Sequence, residues 1–215
     1  MKAIQAAAAT EMKLVGGRLC LDFINTVDGR SVDRVLGDKL VTYSDLVEWS
    51  RHAGIVTVKE AERLIQASKR STRTAKAVFD RAIALREALY RICKAIMSGR
   101  RPQPVDLETV NDELVEARTH ERLTHQANEF TWEVIGDHAA LDRMLWSVAH
   151  SAAELLTTAD LSRLRECCGE QCGWVFEDTS RNRSRQWCDM QACGNLAKVR
   201  RYRTRLRKHG RSSSN

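Results

Sequence analysis

Cys167-Cys168-Gly169-Glu170-Gln171-Cys172 and, after an interval of fifteen residues, Cys188-Asp189-Met190-Gln191-Ala192-Cys193 place two C-x4-C pairs near the C-terminus of this 215-residue chain. Pairs of like spacing, held apart by a ribbon-length segment, bring two sulfurs each to opposite sides of one ion, as a tetrahedral four-cysteine zinc site requires. Buried free thiols, disulfides and an iron–sulfur cluster are the competing readings, and the spacing favours one structural Zn2+ per chain, held by Cys167, Cys172, Cys188 and Cys193, over all three. Cys168 offers an alternative first ligand and a C-x3-C pair. Cys167 is preferred because both pairs then share one spacing.

Between the pairs, Gly173-Trp174-Val175-Phe176 alternates like a short strand and Asp178-Thr179-Ser180-Arg181-Asn182 supplies turn residues. Arg185-Gln186-Trp187 returns the chain to Cys188, so a hairpin is expected to link the two sulfur pairs. So small a module has little core of its own and should depend on its metal for folding. Past Cys193, Gly194 allows a sharp turn and Asn195 can cap a helix, on which Leu196, Val199, Tyr202 and Leu206 fall on one stripe. The expectation is that this stripe holds the helix to the protein.

Charge divides the chain. Residues 181–215 carry eleven Lys and Arg against one acid, Asp189, a net of +10 in a chain whose whole is +7, which leaves residues 1–180 at −3. A basic end on a near-neutral body suggests that the end meets a polyanion while the body does something else. Arg181, Arg183 and Arg185 between the sulfur pairs, and Lys198, Arg200, Arg201, Arg203, Arg205 and Arg207 after them, are the candidate DNA-binding residues, with guanidinium groups turned toward phosphates. RNA or a protein surface is the competing partner, and no aromatic platform for stacked bases is visible beyond Trp174, Trp187 and Tyr202.

The body reads mainly as helix. Its runs are Gly17–Thr26, Tyr43–His52, Val58–Ser68, Thr74–Met97, Leu107–Arg118 and Leu141–Leu156. Thr57 and Glu60 form a capping-box pattern, and Val78, Ala82, Leu85, Leu89, Ile92 and Ile96 recur at helical steps along the longest run, which ends before Gly99 and Pro102-Gln103-Pro104. Arg122–His125 and Glu129–Val134 read as two short strands joined in a hairpin. The fold class is therefore a mainly α N-terminal domain with a short β-hairpin, residues 1–161, followed by a small four-cysteine zinc module with a β-hairpin and a basic helix, residues 162–210. Residues 211–215 read as a disordered tail.

Together these stretches carry a resemblance. The run from Cys172-Gly173-Trp174-Val175-Phe176 to Cys193-Gly194-Asn195-Leu196-Ala197-Lys198 resembles the CGNR zinc finger, and Leu19-Cys20-Leu21-Asp22-Phe23-Ile24-Asn25-Thr26 resembles the opening of the ABATE domain that precedes this finger in bacterial proteins described as stress-induced transcription regulators. The resemblance implies a helical domain followed by a DNA-binding finger, with Cys167 rather than Cys168 as first ligand. This chain has Leu196 where the name motif has Arg. Either a charged DNA contact is missing or Leu196 extends the apolar stripe.

Asp22, Asn25, Thr26 and Arg30 form a polar cluster near the end of the first helix. They could line a pocket for a small effector, although capping and helix–helix hydrogen bonding is the favoured reading. Cys20 and Cys93 sit in apolar helical patterns as small hydrophobes. Met1 to Thr10 lacks a secretory pattern and no apolar stretch approaches membrane-spanning length, so a soluble cytoplasmic protein without a membrane partner is expected. His52, His120, His125, His138, His150 and His209 fall in no catalytic motif: HExxH, G-x-S-x-G and a phosphate-cradling glycine loop are absent, so no enzymatic activity is expected. The reading is a DNA-binding regulator whose body senses an effector or forms a homodimer, many DNA readers being two-fold dimers.

Overall fold

A computed structural model describes residues 12–30, 35–126, 128–135 and 140–212, with side chains described to residue 206 on the last helix. The opening Met1 to Thr10, His138, the side chains of Arg207, Lys208 and His209, and residues 213–215 of the expected tail lie outside what is described.

Seven helices in the described residues follow the periodicity of their sequences. α1 (Leu19–Ile24) is short and buried along nearly its whole length, from Cys20 through Ile24. After it, β1 (Val27–Asp28) pairs antiparallel with β2 (Gly37–Asp38). α2 (Tyr43–His52) and α3 (Val58–Arg70) each open on a complete capping box: Thr42 and Asp45 in the first, Thr57 and Glu60 in the second, exchange side-chain and backbone hydrogen bonds. Ser71 breaks the chain before α4 (Thr72–Met97), whose Ala82, Leu85, Ala88 and Ile92 are all fully buried. α5 (Pro104–Thr119) begins with proline at its first position, where no amide hydrogen is needed.

β3 (Glu121–Gln126) and β4 (Glu129–Val134) pair over six registered residues, turning through Asn128 at φ 70°. Leu123, Phe130 and Trp132 stand on one exposed face of this hairpin. α6 (Arg143–Thr158) then returns to the core with Met144, Leu145, Val148, Ala152 and Leu155. Buried carboxylates between helices are paired: Asp106 with Arg91 at 2.6 Å and Glu113 with Arg81 at 2.8 Å.

A single-turn 3-10 segment, Leu161–Arg163, leads into β5 (Leu164–Glu166), which pairs antiparallel with β6 (Val175–Glu177). Here the expected topology is corrected. The hairpin does not link the two sulfur pairs; it closes around the first pair, and residues 178–189 return as irregular turns. The reason lies in Asp178, whose side chain accepts hydrogen bonds from Ser180 N and Arg185 N and so organises the return segment through a side chain instead of a strand ladder. The last helix, α7 (Asn195–Ser212), continues from a π-helical turn at Met190–Gly194.

Leu164 and Val175 belong to the main hydrophobic core along with α1, α4 and α6, so the β5–β6 hairpin completes the body instead of hanging from it. A second, smaller cluster gathers Phe176, Cys167 and Cys188 with Val15, Trp174 and Trp187 against it.

Candidate metal centre and basic helix

The two sulfur pairs reach one place by different local devices. Cys167 follows β5 directly and donates its N–H to Trp174 O at 2.8 Å, extending the ladder by one pair. Cys172 N donates to Gly169 O, closing a tight loop, and Gly173 at φ 71° then reverses the chain as glycine readily does. A Cβ on Gly169 would sit 3.2 Å from Cys193 Sγ and 3.5 Å from Cys167 Sγ, so the bare glycine makes room for the sulfurs.

On the other side, Asp189 caps the π-helical turn by accepting from Gln191 N, and this turn carries Cys193. Gly194 does not make a sharp turn. Its missing side chain lets Met190 and Trp187 approach, since a Cβ would lie 2.2 Å from Met190 Sδ and 3.3 Å from Trp187 Cδ1. Nor does Asn195 cap the helix: it is helical itself and its Nδ2 donates back to Gln191 O.

The four Sγ atoms of Cys167, Cys172, Cys188 and Cys193 all lie within 4.8 Å of one another, and the Cys172–Cys188 and Cys188–Cys193 separations are 3.6 and 3.7 Å. Zinc–sulfur bonds of about 2.3 Å in a tetrahedron put neighbouring sulfurs about 3.8 Å apart, so the set fits the ion. Without a cation the thiols cannot ionise together: hydrogen bonding to Cys167 and Cys172, then burial, pushes the Cys188 thiol up, while hydrogen bonds from Cys172 and Cys188 hold Cys167 low. Cys188 N also donates to Cys167 Sγ at 3.3 Å, an outer hydrogen bond of the kind that orients a thiolate ligand. Cys168 is exposed and outside this cluster. The four cysteines form a zinc-binding site, one ion per chain; with all four positions filled by sulfur it is structural. Cys20 and Cys93 are buried and stand outside the cluster, and burial pushes the Cys20 thiol up to about 12.

The basic residues divide. Arg185 is not a surface contact: its Nε donates to Trp187 O, its Nη2 donates to Val15 O and Cys188 O, and its guanidinium covers the Phe176 ring at 4.2 Å. It fastens the second sulfur pair to the body. Arg183, at φ 50°, pairs with Asp160 at 3.0 Å, and Arg200 with Glu170 of the first metal loop at 2.6 Å. Arg181, Lys198, Arg201, Arg203 and Arg205 are exposed and make no ion pair among the described residues. Lys198, Arg201 and Arg205, at three- and four-residue steps, share one face of α7. Arg207 lies on the same helix, its side chain outside what is described.

The apolar stripe of α7 is a second correction. Leu196, Val199, Tyr202 and Leu206 are 45–62% exposed, and do not hold the helix to the protein. The helix is anchored at its first turn, beside the metal, and its periodicity alone could not say whether a partner surface lay within the same chain. Leu196 stands at the edge of a groove of about 460 Å3 between α7 and the first metal loop, which Arg200, Arg201 and Trp187 also line.

The polar quartet of the first helix meets protein partners. Asp22 Oδ1 accepts from Gly16 N at 2.8 Å, and Thr26 Oγ1 donates to Phe23 O and accepts from Arg86 Nη1. Arg30 makes a two-pronged pair with Glu87 and stacks on Tyr90. Asn25 donates Nδ2 to Val175 O and accepts from Val175 N, both at 2.8 Å, completing the edge of β6. Glu177 N donates to Gly16 O, and Glu177 Oε2 accepts from Arg18 Nε at 2.8 Å. Asp178 sits in the turn its sequence implied, whereas the roles of Gly169, Asp189 and Glu177 went unread; the Asx-type spacing of Asp189 with Gln191 was the available signal for one of them.

Among the described residues no helix is long and apolar enough to cross a membrane. No curated protein matches the chain. Residues 163–206 match the CGNR zinc finger, and residues 17–159 match ABATE, described as "Putative stress-induced transcription regulator". The chain thus belongs to the ABATE family, and it carries a CGNR zinc finger whose four ligands are Cys167, Cys172, Cys188 and Cys193.

Proposed function

We propose that this protein is a DNA-binding transcription regulator in which zinc positions α7 and α7 meets the phosphate backbone. The observation that carries this reading is the row Lys198, Arg201 and Arg205: three exposed cations, without an ion pair among the described residues, on one face of a helix that starts two residues after the last zinc ligand. Such a row can follow a phosphate strand, and the net +10 of residues 181–215 adds attraction that does not depend on sequence. Arg200 and Arg181 extend the surface, whereas Arg185 serves by holding the finger together. The body acts in binding, not catalysis, as an effector-sensing or dimerising unit, and the family description suggests stress as the setting.

The test is binding to duplex DNA of random sequence over a range of salt, followed by selection of preferred sites. A steep fall of log K with log salt is expected, with Cys188→Ser abolishing binding. A flat salt dependence would favour the second reading, a protein-docking module, for which the exposed stripe Val199, Tyr202 and Leu206 is the supporting observation. Preference for RNA in direct competition would replace DNA by RNA.

A further inference from the structure

The polar side of α6 forms the floor of an open cleft of about 800 Å3, between the β3–β4 hairpin and residues 17–19. Ser147, His150, Ser151 and Glu154 recur there at three- and four-residue steps, and Trp132, Arg118 and Arg18 also line it. The cleft is charged on both signs, and its acids and bases are not equally engaged. Glu121 Oε1 lies 2.6 Å from His150 Nε2, although off the N–H direction, and Glu177 accepts from Arg18 Nε at 2.8 Å. The guanidinium Nη groups are held more loosely: Arg118 reaches Glu121, and Arg18 reaches Glu154, only at 3.5 Å. Charge-assisted bonds close to about 2.7–2.9 Å when well made, so both arginines keep donor capacity toward the cleft. Glu154, the looser acid, is 66% exposed and free to swing outward.

Beside these donors stands an aromatic surface. Trp132 is 62% exposed, with the Arg118 guanidinium 5.3 Å from its ring centre. A large indole left open at the rim of a polar cleft, next to incompletely engaged guanidinium groups, matches a ligand with a flat apolar body and one anionic group.

We infer that this cleft binds a small aromatic carboxylate, its ring against Trp132 and its carboxylate drawn to Arg118 and Arg18. Resting on the regulator reading, the site also has a route to the finger, because the same Arg18 that faces the cleft bonds Glu177 at the end of β6. A ligand that engages the Nη groups acts on the residue that seats the zinc module.

The ligand test is run on the full zinc-loaded chain without DNA, so that its outcome is independent of whether DNA binds. Benzoate, phenylacetate and indole-3-acetate are titrated by calorimetry and thermal shift, with acetate and inorganic phosphate as controls. The aromatic carboxylates are expected to bind and raise the melting temperature while the controls do not. Arg118→Gln is expected to weaken binding about tenfold or more and Trp132→Ala by about three- to tenfold; circular dichroism should show both folded, since both side chains lie at the surface. No binding of any aromatic carboxylate at millimolar concentration overturns the proposal. So does equal binding of phosphate, or unchanged affinity in both variants.

Discussion

Asn25 shows how much one buried amide can organise. Its side chain presents to Val175 the acceptor and donor that a neighbouring strand would present, and both atoms are sealed from water. Asn25→Ala would leave a buried N–H and a buried C=O unpaired, at a cost of roughly 2–4 kcal/mol that urea unfolding should report. From the sequence Asn25 was readable only as one of a polar group near a helix end; its partner is backbone 150 residues away, and no side-chain pattern marks it. Burial lifts the Asp22 carboxyl to about 6, against the N–H groups of Gly16 and Val15. A folded value above the unfolded one means stability that is complete below pH 4 and lost as pH rises through 6. Asp22→Asn keeps the acceptor and removes the buried charge, so it should stabilise by roughly 1–2 kcal/mol at pH 8 and change little at pH 4 in parallel denaturation curves. Gly169→Ala, which presses a methyl toward Cys193 Sγ and Cys167 Sγ, should release zinc to a competing chelator at lower chelator concentration than the parent chain.

The helices were the legible elements, because capping boxes and three- and four-residue repeats are local properties: Thr57 and Glu60 stand at the start of α3 as their spacing implies. The finger's internal path was less so. Two strands of three residues carry too short an alternation to reveal which pairs with which, and the sulfur spacing is compatible with either topology. For α7 the sequence showed amphipathicity, and the structure shows which face is left open. If α7 is the nucleic-acid surface, Arg201→Ala with Arg205→Ala should weaken binding to every duplex alike and reduce the slope of log K against log salt by about 2, two phosphate contacts being lost. Arg185→Ala should behave differently. By freeing the backbone at Trp187 and Cys188 it should lower thermal stability and zinc retention, and with them binding.

Across the whole molecule the finger and the helical body share a core. Leu164 and Val175 pack with α1, α4 and α6, while Trp174 donates to Val27 O and Lys13 pairs with Asp189 at 2.6 Å. Removing zinc should therefore do more than loosen the last fifty or so residues. Chelation, or Cys188→Ser, is expected to lower the melting temperature of the helical body as well, as one shifted calorimetric transition; an unchanged body transition beside a lost smaller one would show that the two parts fold separately. The Asn25–Val175 clamp has a further consequence during synthesis. α1 is among the first elements made, yet its buried amide waits for a strand 150 residues later. At about 5–20 residues per second that is roughly 8–30 s in which the nascent chain holds an open seam at its centre, and the ribosome must deliver the finger before the first helix can settle.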